Sequence, residues 1–166
     1  MKHPFNRFAV RYLAAVLLGL LALMLHGAIQ GGILAVLVPQ SPSPWELSKL
    51  AFWPLLMVFL LSGLLKREHA LGRQLPILVL APVAMTLLCW ALMSLGGSGP
   101  WCLVVWMCVL AVTLAWGTPE KLGRWPLWPV LALALVGFYI LLTYLPLYWG
   151  PFLDPRDVAA MATIPC

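Results

Sequence analysis

His26 is the one ionisable residue set well inside an apolar run, and Gln30 follows it four positions later. On a helix that spacing puts both side chains on one face. A polar group in hydrocarbon is costly and faces protein or water. Three roles stay open for His26: a neutral imidazole bonded across helices, a ligand or proton site, or a metal or haem ligand. The last lacks a second intramembrane histidine, and haem b ordinarily takes two axial partners or one with an open face. Glu46 falls near the same depth. In Ser43-Pro44-Trp45-Glu46 it stands where a capping-box acid stands; otherwise it is a functional carboxylate paired with Lys49 or reaching His26. Asp154, in Phe152-Leu153-Asp154-Pro155, has the setting of a turn initiator. His26, Gln30, Trp45, Glu46 and Asp154 are the candidate ligand-binding residues, with Asp157 on the same side.

Catalytic patterns are absent. There is no Gly-x-Ser-x-Gly, no His-Glu-x-x-His, and no glycine-rich loop followed by Lys-Ser/Thr. Neither a metal site nor a cofactor is expected. Cys89 and Cys108 are expected at similar depth across a hairpin, each roughly 10 Å in at 1.5 Å per residue, as small buried hydrophobes. Cys102 and Cys166 are both expected outside the bilayer, where an oxidising compartment would let them form a disulfide.

These residues need elements to hold them, and composition says which kind. Of 166 residues, 63% are hydrophobic and 9% charged, against about 45–50% and about 25% in soluble proteins. Mean hydropathy is +0.99. Fifteen charges could not cover a water-soluble domain of this size, so the chain is read as a single all-α integral membrane domain. The net charge of +5 is spread between apolar runs without a basic stripe, which argues against nucleic-acid binding.

Five transmembrane helices are predicted, at about 8–30, 44–65, 75–95, 101–117 and 128–147, with an outer tail over 148–166. The first apolar run, Phe8 to Val38, is too long for one straight crossing of a core about 30 Å thick. It is therefore divided at Gly31-Gly32, leaving Ile33–Val38 in or re-entering the interface. The basic start and apolar stretch from Tyr12 to Leu25 resemble a signal peptide, but His26 occupies the small-residue position before Ala28, so a retained span is expected. Ser43 and Pro44 open the second span, and Pro54 and Pro82 should kink the second and third. Gly96 to Pro100 is an uncharged tight turn. Trp45, Trp101, Trp116, Trp125, Trp128, Tyr148 and Trp149 lie near span ends and suit aromatic belts; Trp53, Trp90 and Trp106 lie deeper and should pack between helices.

Eight bases (Lys2, Arg7, Arg11, Lys66, Arg67, Arg73, Lys121 and Arg124) fall on one side of this arrangement. Lys49 and Arg156 fall on the other, with Glu46, Asp154 and Asp157. The positive-inside rule then predicts a cytoplasmic N-terminus and an external C-terminus in a bacterial inner membrane.

The segment Trp45 to Pro54 reads W-E-x-x-K-L-x-F-x-P. It resembles the start of the second span in a family of small, uncharacterised bacterial multi-span membrane proteins, whose members read N-E-S-x-W-E-H-x-K-L-x-F-x-P after a first span ending in histidine. Ser43, Trp45, Glu46, Lys49, Leu50, Phe52 and Pro54 match, His26 stands for the earlier histidine, and Pro151 to Pro155 echoes a P-L-F-x-D-P tail element. Ser41-Pro42 replaces the Asn-Glu, and Leu47 replaces the motif histidine. The resemblance implies a multi-span bundle and transfers no activity.

Small size, scant loops and missing catalytic motifs favour a non-enzymatic accessory or structural subunit of a larger membrane complex, with other subunits, further copies and lipid as partners. The alternative is a small-molecule or lipid binder or transporter using the outer polar residues and kinked spans. An intramembrane enzyme would need His26 with Glu46 or Asp154 as an acid–base pair and ranks last.

Overall fold

A computed structural model describes residues 4–25, 32–66, 70–97, 99–116, 125–145, 147 and 150–152. The chain is all-α. Its helices are α1 (Pro4–Leu25), α2 (Pro44–Lys66), α3 (Ala70–Ser94), α4 (Gly99–Trp116) and α5 (Leu127–Tyr144), with short 3-10 turns at Ile33–Val36 and Gly150–Phe152. Four helices are long and apolar enough to cross a membrane; α4 offers a 17-residue apolar stretch, Gly99–Ala115, at the lower limit for a span. The protein is a multi-pass membrane protein. His26, Gln30, Asp154 and Cys166 lie outside the described residues.

Three helix starts differ from expectation, that of α4 by two residues, at Gly99. α1 begins at Pro4, ahead of Phe8. α3 begins at Ala70, five residues early, so Pro76 joins Pro82 as an interior proline. A first turn of polar and small residues (Gly72, Arg73, Gln74) lies outside an apolar window and carries no hydropathy signal, although it continues the helix. The Gly96 turn is as expected, and its geometry is a Schellman motif. Gly96, at φ +84°, donates its N–H to Met93 O at 3.0 Å, and Gly97 donates to Leu92 O at 2.9 Å.

α2 is the centre of the bundle. It packs on α1, α3 and α4, and 56% of its apolar window is buried, against 11% for α1 and 22% for α5. Its core face carries Leu50, Ala51, Phe52, Leu55, Val58 and Phe59. α5 packs on α3 and on the first 3-10 turn.

Pro54 has no N–H, which frees the Leu50 carbonyl four residues earlier. Trp106 of α4, fully buried, donates its indole Nε1–H to that carbonyl at 2.8 Å. The indole in turn dictates a glycine on α1: a Cβ at Gly19 would lie 2.2 Å from Trp106 Cζ2. One proline thus sets an indole, and the indole sets a glycine, across three helices.

Of the three deep tryptophans, Trp106 packs between helices as expected and Trp53 is half-buried, whereas Trp90 is exposed. Trp101 and Trp125 are exposed. Trp45 and Trp128 are buried instead.

The cysteine register also differs. Cys89 lies beside Cys102, its Sγ 4.0 Å from the Cys102 carbonyl oxygen, while Cys108 is exposed. α4 starts at Gly99, so Cys102 is already within its first turn and faces α3. Cys102 is buried with a free thiol, and Cys166, its expected partner, lies outside the described residues.

Removing the indole donor by Trp106→Phe should lower stability in detergent by about 0.5–2 kcal/mol. In a Pro54→Ala background residue 54 supplies its own N–H to Leu50 O, so the same substitution should cost less. A double-mutant cycle on thermal unfolding measures this; additive effects would contradict the proline–indole coupling.

Candidate functional site

The polar residues gather where α2 begins. Ser43 caps the helix: its Oγ accepts the Glu46 N–H at 3.3 Å. The capping box is only half formed. Ser43 N–H is directed to Ser41 Oγ at 3.4 Å, and the Glu46 carboxylate turns elsewhere. Its Oε2 accepts the Gln40 backbone N–H at 2.8 Å and the Lys49 ammonium at 2.7 Å. The carboxylate therefore ties the strand-like approach to the helix, and its reach to Lys49 follows from i,i+3 spacing.

Lys49 was expected among the external charges. It is instead fully buried, six residues into α2. An ammonium has three N–H donors, and each has an acceptor: Glu46 Oε2, Thr143 Oγ1 at 2.8 Å, and Ala35 O at 3.5 Å. These acceptors come from α2, α5 and the first 3-10 turn. Thr143 donates its own hydroxyl hydrogen bond to Tyr139 O at 2.7 Å. One turn away, Ser48 Oγ and the Tyr139 hydroxyl are 2.7 Å apart, and Ser48 also donates to Trp45 O.

The segment entering α2 depends on the same neighbours. Irregular backbone at membrane depth is tolerated only where protein satisfies its polar groups. Besides Ala35 O, the Val36 carbonyl accepts Trp53 Nε1–H at 3.0 Å and the Gly32 carbonyl accepts the Tyr144 hydroxyl at 3.1 Å. Ala35, Val36 and Val38 are buried. The segment thus packs into the bundle.

Trp45 anchors an aromatic cluster. Its ring centroid lies 4.8 Å from Tyr139, 5.1 Å from Phe138 and 5.5 Å from Phe152. Phe52 extends the cluster to Tyr139 at 5.3 Å. The Trp45 Nε1–H is buried and has no acceptor among the described residues.

A partly open cleft of about 170 Å³ lies against this network. Gln40, Ser41, Ser43, Trp45, Glu46 and Thr143 supply its polar side; Leu142, Leu147 and Phe152 supply its apolar side. Of the sequence candidates, Trp45 and Glu46 are brought together here; His26, Gln30 and Asp154 fall outside the described residues. The sequence reading missed Gln40, Ser48, Tyr139 and Thr143. A signal existed for the last two: Tyr139 and Thr143 are polar-tipped residues four apart in an otherwise apolar helix. Gln40 acts through its backbone and Ser48 within the first turns of α2, and neither has such a signal.

A second cleft, of about 190 Å³, is apolar and lies between α1, the first 3-10 turn and α2, bounded by Leu21, Leu25, Leu37, Trp53 and Met57 among others. No group of three or more metal-ligating side chains occurs among the described residues.

No known protein family, no curated protein and no solved structure matches this chain. Any account of function therefore rests on the geometry of its own residues.

Lys49→Met leaves the Glu46 carboxylate buried without its counter-ion and should cost about 3–5 kcal/mol, whereas Lys49→Met with Glu46→Gln should recover most of that loss. Thermal unfolding in detergent distinguishes the two. Equal destabilisation by the single and double variants would contradict the ion pair as the organising contact.

Proposed function

We propose that this chain is a non-enzymatic multi-pass protein of the bacterial inner membrane that binds a small polar molecule or lipid headgroup in the cleft at the start of α2. The observation that carries this is the position of the Glu46–Lys49 pair: a charge-bearing network in an otherwise apolar bundle borders an open cleft. Intramembrane ionisable groups of this kind mark binding or conduction sites by default. The cleft also combines apolar walls with a few convergent polar groups, the usual make-up of a ligand site.

Burial of Lys49 bears on orientation. Paired within the bundle, it no longer counts as an external loop charge, so the bases divide eight to one instead of eight to two. In this reading the N-terminus is cytoplasmic, the helices cross five times, and the cleft opens outward. Protease added to intact spheroplasts should then cleave the tail beyond Leu147. Protection of that tail, with cleavage only after permeabilisation, would reverse the orientation.

The accessory-subunit reading is favoured by a different feature, the weak burial of α1. Val10, Leu13, Leu17, Leu20, Leu21 and Met24 are all exposed, and an apolar face of this kind suits either lipid or another subunit. Co-isolation of a partner in native-lipid discs, lost on charging this face with Leu17→Lys, supports a subunit role; isolation as a single chain counts against it.

For the binding reading, small polar solutes and headgroup analogues should include at least one that raises the unfolding temperature of the wild type. The same compound should have no effect on a variant with the cleft filled by Ser41→Phe. A panel without any such compound would remove the binding function.

A further inference from the structure

We infer that the ligand of this cleft carries a primary ammonium group. The inference rests on the binding function proposed above and specifies its chemistry.

The two members of the ion pair are unequally placed. The Lys49 side chain is 0% exposed and the Glu46 side chain 9%. The ammonium is closed off by Thr143 and the 3-10 turn, and of the pair Glu46 alone lines the cleft. Both bonds to that carboxylate fall on Oε2, and no described residue bonds Oε1. The cleft therefore shows an incoming molecule the negative end of the pair. No lysine, arginine or histidine is among the described residues that line it.

The remaining walls suit the same ligand. A primary ammonium has three N–H donors and no acceptor. The Glu46 carboxylate, the Ser41 hydroxyl and the Gln40 side-chain carbonyl are the acceptors available, since Ser43 Oγ already accepts from the Glu46 N–H and the Ser41 hydroxyl. Trp45 and Phe152 add aromatic faces, which attract cations through the ring quadrupole. An anion would meet the carboxylate, and a purely apolar group would offer its Oε1 no donor. The size also restricts the choice, at about 170 Å³. That accommodates an aminoethyl group, not a whole lipid. A neighbouring acceptor on the ligand, such as a phosphate oxygen, would satisfy the buried Trp45 Nε1–H.

Two sources present this chemistry: the headgroup of an aminophospholipid and a free water-soluble amine. The full-length chain in phosphatidylglycerol discs provides an ammonium-free reference. The first arm adds phosphatidylethanolamine to the discs, and the second adds soluble ethanolamine to the reference discs. The unfolding temperature is read in each, with glycerol and acetate as neutral and anionic probes. The expected result is a rise with an ammonium probe and none with glycerol or acetate. A rise in the first arm alone assigns the lipid headgroup; a rise in the second assigns a free amine. Glu46→Gln should weaken the ammonium effect about tenfold or more, as loss of a charge-assisted hydrogen bond implies. If that variant does not fold, Glu46→Gln with Lys49→Met removes both charges together and should show the same loss. Stabilisation by glycerol or acetate with no response to either amine would overturn the ammonium and leave the binding function standing. No response to any probe would overturn both. An ammonium effect unchanged in the folded Glu46 variant would also overturn the assignment.

Discussion

Hydrocarbon offers no hydrogen-bond partners, so each polar group carried into it must find one within the protein. In this chain the most demanding group is the Lys49 ammonium. It has three donors, and they are met by a carboxylate three residues back, a threonine on α5 and a carbonyl of the 3-10 turn. Those acceptors are far apart in sequence. Satisfying the ammonium therefore brings the start of α2, the end of α5 and the turn before α2 into one arrangement. The Glu46 carboxylate holds the remaining piece by accepting the Gln40 N–H. The cleft is a by-product of that arrangement, since its polar walls are the outer faces of the same residues.

The same constraint operates on the opposite side of α2. Pro54 interrupts the helix and leaves a carbonyl without its usual donor. The indole of Trp106 supplies that donor, and Gly19 leaves room for the ring. Proline is tolerated in membrane helices where neighbours re-satisfy the freed carbonyl. Here the neighbour is a single long side chain whose bulk then decides what α1 can carry. Polar satisfaction and packing are linked at this point, and α1, α2 and α4 are joined by it although α1 buries little of its own surface.

The number of helices, their order and nearly all their ends were legible in the sequence, because apolar runs bounded by charge, glycine or proline are strong signals. The α3 start was not: its first turn is polar and small, and a hydropathy window does not see it. The cysteine register followed from that kind of error, since a shift of two residues at the start of α4 moves Cys102 from outside to a buried face. At the site, the N-cap at Ser43 and the possibility of a Glu46–Lys49 pair could be read from spacing. The burial of Lys49 could not. A lysine near a helix start looks like a loop charge until the threonine ninety-four positions later is known to lie beside it. Trp45 misled for a related reason, because a span-end indole has the same sequence signature in an aromatic belt and in a cluster with Tyr139 and Phe152.

The W-E-x-x-K-L-x-F-x-P pattern can now be examined residue by residue. Trp45 centres the aromatic cluster, Glu46 and Lys49 form the pair, Leu50 presents the carbonyl, Phe52 packs on Tyr139, and Pro54 frees that carbonyl. Four of these five tasks are packing or backbone satisfaction, which an apolar core also performs. The ion pair differs. Buried pairs are often no more stable than apolar residues of the same volume, so stability alone gives no reason to place one here. An apolar pair could fill the space. It would neither point at Gln40, Thr143 and Ala35 nor turn a carboxylate toward a cleft. The pair is thus the one part of the pattern whose chemistry exceeds what holding the bundle together requires, and function is most economically sought where Glu46 lines the cleft.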